Sequence, residues 1–136
     1  MHTATPLFPL ASKPMVHHHL EALAKVNGLD EVLLIGFYQD HELSATVSYL
    51  QEDAPFKIRY LPESKGLGTG GGMYYYREEI MRGDPDKILV IHVDVVANFP
   101  FDAMIKNFEK LPEGKVVSVM GVKVGAHKNG FHSKTS

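Results

Sequence analysis

The sequence predicts an α/β protein with a Rossmann-like fold, in which a mostly parallel sheet carries helices on both faces. Short apolar runs of strand length alternate with longer stretches whose apolar residues recur at helical spacing. The runs at residues 31–37 and 88–93 are apolar at consecutive positions, which is typical of strands buried on both faces. A glycine run at residues 67–72 lies between a strand-like and a helix-like segment, as the βα turn of a parallel sheet does.

Composition narrows the class of protein. The chain has 136 residues, a hydrophobic content of 44% and a formal net charge of −2, which suits one modest globular domain. Its lysines and arginines are dispersed, so nucleic-acid binding lacks an electrostatic footprint. There is no cysteine for disulfides, metal sites or thiol catalysis. No apolar stretch approaches membrane-spanning length, so we expect a cytoplasmic protein without membrane contact.

The first half of the chain predicts two helix-strand pairs. Residues 5–13 are a proline-broken loop, after which Pro14 can open a helix that ends near Gly28. A strand at residues 31–37, a second helix and a strand at residues 56–61 follow. Each helix has one apolar stripe, formed by Val16, Leu20 and Leu23 in the first and by Leu43, Val47 and Leu50 in the second.

The second half continues the alternation. The glycine run leads into a helix over residues 73–82, and residues 88–93 form a third, fully buried strand. Residues 101–111 form another helix and residues 116–124 a final strand. An order of this kind specifies a parallel sheet covered by helices, and ligands of such sheets bind beyond the carboxyl ends of the strands.

The glycine run is the leading candidate for a binding site. Without Cβ, a glycine backbone can take positive φ and approach a phosphate, ribose or base closely. An ordinary mobile turn is the alternative. The run from Gly66 to Gly71 also matches the dinucleotide pattern GxGxxG, but that fingerprint follows a first strand tightly, whereas two strands precede it here. No lysine followed by serine or threonine closes the glycines, which excludes a P-loop.

Asp94 is the candidate metal ligand. It follows the apolar run at residues 88–93 and would therefore lie at the same sheet edge as the glycine run. A carboxylate beside nucleotide phosphates can hold Mg²⁺ while waters complete the coordination. The alternative is that Asp94 only caps the next turn.

Two aromatic and imidazole clusters have simpler interpretations. The histidines at residues 17–19 are consecutive on a helix and point in different directions, so they cannot all bind one ion. We expect them to serve helix surface and packing. The tyrosines at residues 74–76 are predicted to pack a helix on the sheet, although one of them could border a base.

Several motifs in a fixed order resemble those of a known family. They are Pro-Leu-Phe-Pro at residues 6–9, Lys-Pro-Met-Val at 13–16, His-His-Leu-Glu-Ala at 18–22, Leu-Leu-Ile-Gly-Phe-Tyr-Gln at 33–39, Leu-Gly-Thr-Gly-Gly-Gly at 67–72, Val-Asp-Val at 93–95 and Phe-Pro at 99–100. Together they look like the sugar-phosphate nucleotidyltransferases. Between about residues 6 and 121 the chain is most similar to the regulatory, or alpha, subunits of the branch that makes GDP-mannose.

The resemblance implies a function and a site. In this family the phosphate of a sugar 1-phosphate attacks the α-phosphate of a nucleoside triphosphate, here GTP, and forms a nucleotide sugar, here GDP-mannose, and pyrophosphate. The chain would bind GTP or GDP-mannose, Asp94 would hold Mg²⁺, and a catalytic beta subunit is a possible partner. The nucleotide pocket would be formed by Glu63, Leu67, Gly68, Thr69, Gly70, Gly71 and Gly72.

The chain also departs from the family's pattern. It begins after the first strand and the loop that wraps the triphosphate, Thr5 stands where the family has a lysine, and Gly66 replaces a proline. Nothing after residue 121 matches the second metal aspartate or the C-terminal β-helix domain. We therefore expect residues 1–124 to be a partial nucleotidyltransferase domain, residues 125–136 an unmatched polar tail, and the chain a fragment that is inactive alone.

Three function classes remain open from the sequence. The main one is a regulatory nucleotidyltransferase-like domain that binds a GDP-sugar. The first alternative is an active sugar-1-phosphate guanylyltransferase. The second is a dinucleotide-binding Rossmann module, or a fragment with no ligand.

Overall fold

The computed structural model describes residues 9–38, 40–95, 97–112, 117 and 119. The chain divides into two compact units after Phe101. No helix in the described part of the chain has the length and apolar character needed to cross a membrane.

A short hairpin opens the described chain. Strands β1 (Pro9–Leu10) and β2 (Lys13–Pro14) pair antiparallel, and Ala11 and Ser12 between them have φ values of 50° and 69°. Two consecutive positive φ values are typical of a type I′ turn, for which asparagine and glycine are the usual residues. The prediction of a plain loop is wrong here, because alanine and serine do not signal such a turn.

Helix α1 (Met15–Leu23) buries the stripe that the sequence predicts. Val16, Leu20 and Leu23 are all buried. Pro14 stands just before the helix, where its missing N–H costs no helical hydrogen bond. The predicted first helix is therefore confirmed, although it ends at Leu23 and not near Gly28.

A parallel βαβ arrangement is the centre of the first unit. Strands β3 (Glu31–Gly36) and β4 (Lys57–Pro62) pair in parallel, and helix α2 (Asp40–Asp53) connects them and packs on β4. Each core side chain is at most 8% exposed; the set is Leu43, Leu50, Phe56, Ile58 and Leu61. The α/β class and this parallel pair are confirmed, while a larger, mostly parallel sheet stays a prediction.

The outer edge of β4 is closed by a side chain of α2. The N–H of Lys57 donates to Asp30 O at 3.0 Å. The backbone N–H and C=O groups of alternate residues of β4 therefore point toward β3, and those of Ile58 point to the other side. There, the Ile58 N–H donates to Gln51 Oε1 at 2.7 Å, and Gln51 Nε2 donates to Phe56 O at 2.8 Å. The Gln51 amide thus takes the place that a neighbouring strand would occupy.

The helix after the glycine run begins earlier than the sequence predicts. Helix α3 (Gly68–Tyr75) includes the glycines, and after a break at Tyr76 the short helix α4 (Arg77–Ile80) follows. Tyr74 and Tyr75 are 71% and 61% exposed. The prediction that the tyrosines pack on the sheet is therefore wrong for these two, because α3 turns its other side to the strands. Tyr76 is half-buried, and its hydroxyl donates to Pro62 O.

An ion-pair network ties α4 to the sheet. Arg59 on β4 contacts Glu31 on β3, with 2.6 Å between Nε and Oε1 and 3.3 Å between Nη2 and Oε2. Its Nη1 reaches Glu79 Oε2 on α4 at 2.8 Å, and Arg82 reaches the other oxygen of Glu79 at 2.5 Å. One guanidinium therefore connects three elements through two carboxylates.

The third predicted strand, at residues 88–93, is not a strand in the structure. Residues 87–92 have no regular secondary structure, and Ile88 and Val90 are 48% and 49% exposed. An apolar segment becomes a strand only when a neighbouring backbone pairs with it. Within the described ranges β3 and β4 form a sheet of two strands only, so the apolar pattern alone gave a wrong prediction.

The last helix is confirmed with a shorter C-terminal end. Helix α5 (Phe101–Glu109) buries Phe101, within the predicted range of residues 101–111. The predicted strand at residues 116–124 lies outside the described residues, apart from Val117 and Val119, which have no regular secondary structure. The tail at residues 125–136 also lies outside the described residues.

Candidate functional site

The candidate site begins where the parallel strands end. Glu63 directly follows β4, and its N–H donates to the carbonyl oxygen of Gly36, the last residue of β3, at 2.8 Å. The ladder thus extends one residue past the end of β4. Glu63 is consequently fixed at the carboxyl edge of the sheet, where ligands of parallel sheets bind.

Helix α3 meets this edge at Gly72, which is buried. A Cβ added to Gly72 would lie 2.5 Å from Glu63 Oε1 and 3.2 Å from Ile35 Cγ2. Both distances are too short for an ordinary carbon contact. Glycine therefore lets the Glu63 carboxylate keep this place beside the helix, because a Cβ here would push it away.

The Glu63 carboxylate has an unsatisfied oxygen. Oε1 is buried, and among the residues that the structure describes it has no hydrogen-bond partner. A buried carboxylate oxygen without a donor is costly, by roughly 1–3 kcal/mol or more for a charged group. Such atoms in native structures call for an explanation.

The first turn of α3 adds backbone donors beside this carboxylate. Leu67 occupies the N-cap position, and no side chain caps the helix. The first N–H groups of a helix have no carbonyl within the helix to receive them, and they carry the positive end of its dipole. Gly68, with φ of 70°, and Gly70 have open space where a Cβ would be, so a ligand can approach the backbone there.

The six residues of the predicted glycine site lie together, but as a helix start and not as a loop. Leu67 precedes α3, and Gly68, Thr69, Gly70, Gly71 and Gly72 lie in its first turns. The Leu67 side chain packs against Gly71, where an added Cβ would lie 2.9 Å from Leu67 Cβ. In the structure Gly72 therefore packs against Glu63 and Gly71 against Leu67. Thr69 is exposed.

Asp94, the predicted metal ligand, lies in a separate turn. It is exposed, and the turn closes when the Val95 N–H donates to His92 O at 3.2 Å. In the described ranges no three histidine or acidic side chains come together as a metal-binding group. Metal binding by Asp94 stays a prediction.

Sequence reasoning missed one residue near this turn. His19 is only 4% exposed, and its Nε2 lies 2.8 Å from the carbonyl oxygen of Val95. The signal was its position three residues after Val16, on the buried stripe of α1. Because the three histidines were treated as one surface and packing group, this position was not singled out.

The fold and the site together define a class of protein. A parallel βαβ arrangement with a carboxylate and a glycine-rich helix start beyond its strands has the architecture of nucleotide-binding α/β proteins. The family model for nucleotidyl transferases matches residues 1–130. The chain belongs to the nucleotidyl transferase family, as its motifs indicated.

Curated relatives narrow the comparison. The chain is 41% identical over 126 residues to the mannose-1-phosphate guanylyltransferase regulatory subunit alpha of Dictyostelium discoideum, a match that covers 92% of this chain and 30% of the relative. It is 46% identical over 102 residues to the human protein of that name and 48% identical over 101 residues to the pig protein. The last two matches cover 74% of this chain and 24% of each relative. The chain thus spans about a quarter to a third of their length.

Proposed function

We propose that this chain is the nucleotide-recognising part of a regulatory subunit of mannose-1-phosphate guanylyltransferase, and that it binds GTP or GDP-mannose. The names of its relatives support the assignment to a regulatory subunit. The observation that carries the proposal is the buried, unpartnered Oε1 of Glu63 against Gly72. We expect this site to bind nucleotide without transferring it.

Guanine fits the donor requirement of Glu63. An ionised carboxylate only accepts hydrogen bonds, through two oxygens side by side. Guanine presents two adjacent donors, N1–H and the 2-amino group, at the same spacing. Adenine has an acceptor at N1, which would face the carboxylate with a lone pair, so Glu63 selects guanine over adenine.

The helix start supplies the surface for the sugar of the nucleotide. The glycines at positions 68 and 70 leave open space at the backbone, and the first N–H groups of α3 can donate to ribose or phosphate oxygens. Leu67 provides an apolar contact for the base. In this arrangement residues 67–72 line the base and ribose side of the pocket.

Asp94 completes the proposed site as a ligand of Mg²⁺. Mg²⁺ keeps several waters and is commonly held by one or two carboxylates together with nucleotide phosphates, so one exposed aspartate suits it. Bound there, Mg²⁺ would neutralise phosphate charge. The catalytic subunit would then be the partner that joins mannose 1-phosphate to GTP, and the cytoplasm the location.

Calorimetry on the purified chain tests the proposal. We expect GTP and GDP-mannose to bind in the presence of Mg²⁺, with ATP and NAD at least about tenfold weaker, since an unpaired buried polar group costs about one power of ten or more. Glu63→Gln presents an amide and should lose about tenfold in affinity for guanine nucleotides. Glu78→Gln removes the same charge from a side chain that is 88% exposed, and it should bind like the parent.

Two results would contradict this function. Equal affinity for GTP and ATP would remove the role of Glu63, and rapid formation of GDP-mannose from mannose 1-phosphate and GTP by the chain alone would indicate an active transferase.

A further inference from the structure

We propose that His19 is a positioning residue that holds the turn bearing Asp94, so that its imidazole determines how strongly Mg²⁺ adds to nucleotide binding. The proposal rests on the proposed function. It assigns a role to a buried polar side chain that the nucleotide pocket itself does not use.

The first observation is a long-range bond from α1 to the Asp94 turn. His19 Nε2 lies 2.8 Å from the carbonyl oxygen of Val95, the residue directly after Asp94. The other ring nitrogen, Nδ1, lies 3.0 Å from the carbonyl oxygen of Met15 within α1. Both neighbours are acceptors, and a ring that carries hydrogen on Nε2 donates to Val95 O and so ties the turn to the helix.

The second observation is that, among the described residues, the turn is not held in a helix or strand. The preceding residues 87–92 have no regular secondary structure, and within the turn the Val95 N–H bonds back to His92. A ligand side chain on such a segment occupies one place only if something anchors the backbone next to it. His19 supplies that anchor one residue from Asp94.

The third observation is an aromatic stack on the same ring. The Phe99 ring lies 5.2 Å from the His19 ring, and Phe101 stacks on Phe99 at 5.0 Å with an angle of 3° between the ring planes. This stack holds the chain after the turn by apolar contact, whereas the bond to Val95 holds the turn itself. The two contributions can therefore be separated by substitution.

Three variants separate them. His19→Phe keeps a ring of similar size for the stack but removes the donor, whereas His19→Gln has an amide nitrogen that can reach Val95 O. His18→Phe is the matched control, since His18 Nε2 lies 2.8 Å from a different carbonyl, that of Leu10 in the hairpin. We expect His19→Gln and His18→Phe to behave like the parent.

The first measurement is calorimetric binding of GTP with and without Mg²⁺. Outer-shell partners typically change metal affinity 10- to 100-fold. The factor by which Mg²⁺ raises GTP affinity should therefore be about tenfold smaller in His19→Phe than in the parent. Its affinity without Mg²⁺ should stay unchanged, which a general loss of structure would not allow. An equal loss with and without Mg²⁺, or no loss at all, would overturn the positioning role.

The second measurement needs no ligand. Hydrogen exchange of the Val95 amide, which donates to His92 O, should be faster in His19→Phe than in the parent, and unchanged in His19→Gln and His18→Phe. If exchange does not change in His19→Phe, the proposal fails whatever the nucleotide binding. If it changes while the parent binds no nucleotide, the anchor stands and the proposed function fails.

Discussion

At the scale of single residues, the contact between Gly72 and Glu63 sets the chemistry of the candidate site. The glycine gives the carboxylate room at the end of β3, and the carboxylate keeps one oxygen buried without a donor among the described residues. Gly66, which precedes the proposed pocket, differs in this respect, because nothing lies within 4 Å of a Cβ added there. The two positions therefore allow a matched comparison.

We expect Gly72→Ala to move the Glu63 carboxylate without unfolding the protein. The added methyl would lie 2.5 Å from the end of a flexible side chain, which can rotate away, and Ile35 has to yield only slightly. Affinity for GTP should fall about tenfold, the cost of a misplaced polar partner. Gly66→Ala should bind GTP like the parent, because Gly66 precedes the proposed pocket and has open space for the added methyl.

Calorimetry and urea unfolding of both variants check this expectation. Normal GTP affinity in Gly72→Ala would show that the contact with Glu63 is irrelevant to binding. An equal loss of affinity in Gly66→Ala would show that the effect does not come from the contact between Gly72 and Glu63.

At the scale of elements, the Gln51 side chain shows how a helix protects a strand. Its amide pairs with the outward backbone groups of Phe56 and Ile58, and Pro62 at the end of β4 has no N–H to offer. Exposed strand edges invite pairing with other chains, and proteins commonly cover or interrupt them. Helix α2 thus covers the core and also closes the sheet on this side.

We expect Gln51→Leu to destabilise the protein by about 1–3 kcal/mol, because two backbone groups lose their partners. Gln51→Glu keeps an acceptor for Ile58 but loses the donor to Phe56. Its stability should therefore lie between those of the parent and Gln51→Leu. Glu52→Leu, at the next and exposed position, serves as the control for added apolar surface. Urea unfolding measures the stability, and light scattering should report association of Gln51→Leu. A stable, monomeric Gln51→Leu would contradict the role given to the amide.

At the scale of the whole molecule, local sequence patterns predicted much of the fold. They failed where the secondary structure of a segment depends on contacts with residues far away in the sequence. The stripe of Val16, Leu20 and Leu23 and the runs of β3 and β4 specify their elements by themselves. The run at residues 88–93 carries an equally strong apolar pattern, yet it is no strand because nothing in the described ranges pairs with it.

The candidate site divides in the same way. The motif at residues 67–72 and its resemblance to a family predicted the glycines and Glu63 as site residues, and their binding role stays a prediction. The start of α3 at Gly68, the close packing on Gly72 and the buried place of His19 depend on how elements meet. Sequence spacing does not contain that information.

The ion pairs of Arg59, which connect β3, β4 and α4, make the stability of the protein depend on pH. The hydrogen bond from Arg59 lowers the pKa of Glu79 from its ordinary value of 4.5. A carboxylate whose pKa is lower in the folded state stabilises it above the ordinary pKa, and this contribution is lost as pH falls through the lowered pKa. The midpoint of urea unfolding should therefore fall between pH 7 and pH 3, and by less in Glu79→Gln than in the parent. An identical fall in both would mean that α4 is held by its packing and that the ion pairs are incidental.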